Sequence, residues 1–132
     1  MDIRDLFRVG RVSSQNGPKG TVRVTFPDKD DLVSGELPVI VIGSHGTKEY
    51  HLPEVGTQVL CAFMPNPSGR GMNDGFVIGG FYSEGDLPEE TDPKVRCIKL
   101  PDGCYIKFDG AGNIEIHATG NLKLTGARID LN

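Results

Sequence analysis

The sequence predicts an all-β protein: a small five-stranded barrel followed by a narrow, repetitive β-region that several chains must share. Three observations predict it. No window places apolar residues at helical spacing over a useful length. Eighteen glycines and nine prolines are spread along 132 residues and not pooled, as frequent turns between short strands require. Two-residue alternation recurs in segment after segment, most regularly in the last third.

Taken in order, RVGRVSS at 8–14 and GTVRVTF at 20–26 read as two strands. In the second, Val22, Val24 and Phe26 take one face and Thr21, Arg23 and Thr25 the other. QNGPK lies between them, and its Asn-Gly pair predicts a hairpin. PDKDDLVSGE, 27–36, reads as a polar loop. LPVIVIG, 37–43, is a continuous apolar run and predicts a strand covered on both faces. SHGTKEYHLPEVG is a long polar connection. TQVLCAFMP follows as a fourth strand, with Val59, Cys61 and Phe63 opposite Leu60, Ala62 and Met64. NPSGRGMNDG is a glycine-rich loop, and FVIGGFYS at 76–83 is the fifth strand. Five such strands suit a closed or nearly closed barrel over 1–83, since closure removes exposed edges. The acidic, proline-containing stretch 84–94 reads as a linker.

Residues 95–132 follow a different grammar: VRCIKL, PDG, CYIKFD, GAG, NIEIHAT, GNLKLTG, ARIDLN. GNIEIHAT at 112–119 aligns with GNLKLTGA at 120–127, a period of eight residues. Ile129 and Leu131 form a last pair one residue out of phase. Strands with one apolar face and no second layer are marginal in water. The expected burial is therefore between chains. Ile106, Phe108, Ile114, Ile116, Leu122, Leu124, Ile129 and Leu131 form the expected trimer core of an intertwined β-prism, with Glu115, His117, Lys123 and Asp130 facing out. An ordinary amphipathic meander lying on the barrel is the alternative.

Composition bounds the function. The formal net charge of −4 does not attract phosphate backbones or anionic lipid. No signal peptide and no transmembrane-length run is seen, so the expectation is synthesis in a bacterial cytoplasm followed by assembly into a larger particle. Cys61, Cys97 and Cys104 are odd in number and lack C-x-x-C spacing, and they read as buried or half-buried thiols. No catalytic set is expected. Asp28, Asp30 and Asp31 read as a solvated loop, and Ser68 beside GRG has no helix after it to make a nucleophile elbow. His45, Tyr50 and His51 read as part of a polar connection, and Gly79-Gly80 as a place where another backbone approaches closely.

GRVSS at 10–14, GTVRVTFPDKDDLVSGELPV at 20–39, HLPEVGTQVLCAFMPN at 51–66 and GFVIGGFYSEGDLP at 75–88, in this order, resemble the phage baseplate assembly protein V family, the central spikes of contractile tails and phage-tail-like bacteriocins. YIKFDGAGNIEIHATGNLKLTGA resembles the start of that family's needle. The resemblance implies an OB-fold-like barrel followed by a short intertwined trimeric β-helix. It implies a homotrimer attached to a baseplate hub protein, which nucleates baseplate assembly and punctures the target cell envelope. A tip-capping protein and the tape-measure protein are further expected partners in the virion or extracellular tail-like particle. Neither an enzyme activity nor a cofactor is implied. Some relatives bind iron through His-x-His near the tip; here His117 stands alone and no metal is expected.

Two rival readings remain in view. A single-stranded nucleic-acid-binding OB-fold would need a basic groove and exposed aromatic platforms. Phe26, Phe63, Phe76 and Phe81 instead alternate as core residues would, and the charge is acidic. A tail-tip adaptor without piercing function is the second.

Overall fold

A computed structural model describes residues 5–64 and 75–132. Most of the glycine-rich loop, including Ser68, lies outside the described residues. The described chain is all-β with no α-helix, and it divides into a first unit ending at Leu87 and a second, Pro88–Asn132.

The first unit is a six-stranded sheet. Its strands are β1 (Phe7–Asn16), β2 (Thr21–Phe26), β3 (Leu32–Val33), β4 (Leu37–Pro38), β5 (Gln58–Phe63) and β6 (Gly75–Gly80). They run β3-β2-β1-β5-β6, with β4 also paired to β2, and every ladder is antiparallel. The expected hairpin joins β1 and β2. Asn16 and Thr21 close its ladder, Gly20 N–H donates to the Asn16 carbonyl at 3.0 Å, and Gly20 takes φ 68°, where a side chain is rarely tolerated.

Alternation decides what is buried. Val22, Val24 and Phe26 from β2, Val59, Cys61 and Phe63 from β5, Val12, Leu37 and Val77 make the core. Phe26 and Phe63 meet edge to face, with ring centroids 5.7 Å apart. Burial pushes the Cys61 thiol up to about 11, because a thiolate has nothing to solvate it there. Ser34 repairs the ladder where β3 gives way to β4. Its hydroxyl accepts from Val24 N–H at 3.0 Å and donates to the Gly35 carbonyl at 2.7 Å.

Four expectations about this unit are corrected. The 37–43 run is not covered on both faces: only Leu37 and Pro38 join the ladder, and Ile40 and Ile42 are exposed. The polar loop 27–36 holds a strand, β3, after a 3-10 turn at Pro27–Lys29. Asp30 and Asp31 follow that turn at positive φ and are exposed. A closed five-stranded barrel does not form. So short a β4 cannot build a second ladder, and among the described residues its continuation reaches β6 through an isolated parallel bridge, Val39 to Val77, with Ile40 N–H donating to the Val77 carbonyl at 3.0 Å. Finally, Phe76 and Phe81 are exposed: Phe76 lies in the phase opposite to Gly75 and Val77, and the register shift at Leu60/Cys61 reverses the phase before Phe81.

Gly10 fixes the register of β1. A Cβ there would lie 2.5 Å from Val24 Cγ1 and 2.6 Å from the Thr25 carbonyl oxygen. Gly79 faces open space. Gly10→Ala is expected to lower stability by about 1–3 kcal/mol through overpacking, and Gly79→Ala by less than about 1 kcal/mol. Denaturant unfolding of the two variants checks this.

Candidate functional site

The second unit is a three-stranded antiparallel sheet: β7 (Arg96–Lys99), β8 (Tyr105–Phe108) and β9 (Ile114–His117). Short side-chain turns build it. Between β7 and β8, Asp102 Oδ1 accepts from Cys104 N–H at 2.9 Å, and Gly103 takes φ 94°. Between β8 and β9, Asp109 Oδ1 accepts from the N–H groups of Ala111 and Asn113 at 2.7 and 3.1 Å, and its Oδ2 accepts from Asn113 Nδ2 at 2.7 Å. Those donors, the Asn113 side chain first, hold the Asp109 carboxyl below the usual aspartate value.

With the turns set, the register sorts the side chains. Ile98 pairs with Ile106 and Ile106 with Ile116, while Phe108 pairs with Ile114. Ile98, Leu100, Ile106, Phe108, Ile114 and Ile116 therefore share one face, with Arg96 at its edge opposite Phe108. They are 42–71% exposed, and none belongs to a buried core.

The other face is polar: Cys97, Lys99, Tyr105, Lys107, Glu115 and His117. Tyr105 Oη donates to Glu115 Oε1 at 2.6 Å, and that bond raises the Tyr105 pKa. The Tyr105 and His117 rings stack with centroids 5.1 Å apart. Lys107 pairs with Glu90 at 3.4 Å, and Lys99 pairs with Glu89. Residues 89–94, read as linker, thus place two carboxylates on this sheet. Glu90 also accepts from Thr91 and Asp92 N–H groups, which lowers its pKa.

The expected core residues fall into two groups. Ile106, Phe108, Ile114 and Ile116 lie on the single apolar face. Leu122, Leu124, Ile129 and Leu131 are exposed and lie in no strand. GNLKLTG and ARIDLN, expected as strands, enter no ladder within the chain, because an extended segment becomes a strand only when a neighbour supplies its hydrogen bonds. Ile98 and Leu100 were missed as members of the face. The signal was present: Ile98, Ile106, Ile114 and Leu122 stand eight residues apart, as do Leu100, Phe108, Ile116 and Leu124.

Other candidates are dispersed. His45, Tyr50 and His51 are exposed, with Tyr50 Oη donating to the Gly17 carbonyl at 3.2 Å. Cys97 is exposed, contrary to the buried or half-buried expectation, because its strand presents it on the polar face. Among the described residues no three His, Cys, Asp or Glu side chains converge. No helix there is long and apolar enough to cross a membrane. No family model matches the chain, and no curated protein matches it at the threshold applied.

The lowered Asp109 pKa makes the second turn acid-sensitive. Its contribution is present above the ordinary aspartate value and is lost as pH falls through the lowered one. Acidification through the lowered value, or Asp109→Ala at neutral pH, is expected to reduce the protection of the Ala111 and Asn113 amides, relative to their intrinsic exchange rate at the same pH, by about ten-fold or more. Amide exchange followed by NMR reads this directly.

Proposed function

We propose that the chain is a structural trimeric spike of a contractile injection tail, of a phage or a phage-tail-like particle. One observation carries the reading: within the second unit nothing covers a largely apolar face, and among the described residues the apolar pairs after it continue with no ladder to join. Burying one isoleucine or leucine is worth about 1.5–3 kcal/mol. Nine such side chains and Phe108, exposed in every chain, make association strongly favourable. The number three and the intertwined needle come from the resemblance. In such a needle, the segments after His117 gain the backbone partners that their own chain lacks.

Within this reading the first unit is an OB-fold-like head that grips a baseplate hub protein and nucleates baseplate assembly. The needle transmits the force of sheath contraction to a narrow, hydrogen-bonded point that breaches the target envelope. Each particle does this once, so no turnover and no catalytic group is needed. A tip-capping protein and the tape-measure protein are the further partners. Nucleic acid is not one, because a net charge of −4 gives no counterion-release gain. The chain is made in the bacterial cytoplasm and leaves it as part of the particle.

The test is native mass. The wild-type chain is expected to sediment as three copies. Ile116→Asp would put a carboxylate into the centre of the shared face in every copy, at several kcal/mol each, and should reduce the mass to that of one chain. His117→Asp, on the opposite face, should leave the mass unchanged. A single-chain wild-type mass, or an Ile116→Asp variant that stays a compact trimer, overturns the reading.

A further inference from the structure

The first unit carries a second apolar face, on the outside of β1, β5 and β6, that none of its described residues covers. Phe7 pairs with Ala62 and Ala62 with Phe76; Val9 pairs with Leu60 and Leu60 with Gly79. The register shift at Leu60/Cys61 seats Ile78 beside them, and Phe81 N–H donates to the Gln58 carbonyl at 3.1 Å to continue the row. Phe7, Val9, Phe76, Ile78 and Phe81 are each about half exposed, at 39–55%. Arg11 and Gln58 stand at one end of the face, and no charged residue interrupts it.

This face is not an accident of register. Sliding β1 by one residue would turn Phe7 and Val9 inward and Arg8 outward. Gly10 forbids the slide, since Val24 and Thr25 leave no room for a Cβ at its position. The strand thus buries Arg8 and displays Phe7 and Val9. Gly79, with nothing within 4 Å of where its Cβ would stand, leaves a shallow gap in the middle of the row. Another chain could approach closely there.

The size of the face selects its occupant. Three phenylalanines and two branched aliphatics, each half exposed, present on the order of 400 Å² of apolar surface. A stable pair of free proteins needs about 800 Å² from each partner. The face is too small to hold a freely diffusing partner, yet large enough for one already held at millimolar effective concentration. We infer that its occupant is the first unit of a neighbouring copy of this chain. The copies are brought together by the second unit, so the inference rests on the trimer proposed above.

Thiol labelling tests it on the full-length chain. Ile78→Cys is placed in a background of Cys97→Ser and Cys104→Ser. Cys61 remains, buried and with its thiol near 11. Lys48→Cys, at an exposed loop position, is the reference. In a protein whose mass is three chains, a maleimide is expected to label Ile78→Cys at least about ten-fold more slowly than Lys48→Cys. In single chains, produced by adding Ile116→Asp, the two rates should become equal. Val9→Cys on the same face carries the same test should Ile78→Cys fail to fold. A three-chain mass with labelling as fast as the reference overturns this inference and leaves the trimer standing. Slow labelling that persists in single chains overturns it as well, since the chain would then be covering its own face. A single-chain mass for the wild type overturns both.

Discussion

An antiparallel sheet with one apolar face needs a second layer, and the second unit of this chain does not make one. Six apolar side chains of β7, β8 and β9 line a face that nothing in the unit covers. Four more follow in segments whose backbone has no ladder to join. Two deficits coincide here, apolar surface without cover and strand-like segments without neighbours. Both are removed at once when copies of the same segment lie side by side. The period of eight makes this possible, because it returns an apolar pair to the same phase after each turn.

The first unit meets the same requirement differently. Its core is small, built largely from valines with two phenylalanines packed edge to face. Glycine at position 10 lets β2 come close enough for Val24 and Phe26 to fill the interior. That close approach also locks the register of β1, and with it the outward display of Phe7 and Val9. Packing inside the unit thereby determines what the unit shows outside. The two apolar surfaces of the chain have different origins: one comes from a missing layer, the other from a register that the core will not release.

A mechanical role fits this division of labour. The polar groups of the second unit serve its own geometry. Asp102 and Asp109 shape turns, Glu115 fixes Tyr105, and Glu89 and Glu90 hold lysines. The pKa shifts of Asp109, Glu90 and Tyr105 have local structural causes, turn hydrogen bonds and surface side-chain contacts.

The sequence by itself determined the all-β class, the β1–β2 hairpin, the buried phase of β2 and β5, and the apolar phase of β8 and β9. These depend on neighbours two residues apart or on a local turn, so composition and alternation suffice to read them. Only the tertiary structure decided the rest. Whether Val39 to Ile42 form a strand depends on a distant ladder, and the chain provides one for just two preceding residues. The exposure of Phe76 depends on which phase of β6 meets the core across β5, and that of Phe81 on the register shift that reverses this phase. Whether GNLKLTG and ARIDLN are strands depends on hydrogen-bond partners that the described residues of the chain do not supply. Alternation is a local property, whereas burial and ladder formation belong to pairs of segments far apart in sequence, and among the described residues the segments after His117 have no such pair.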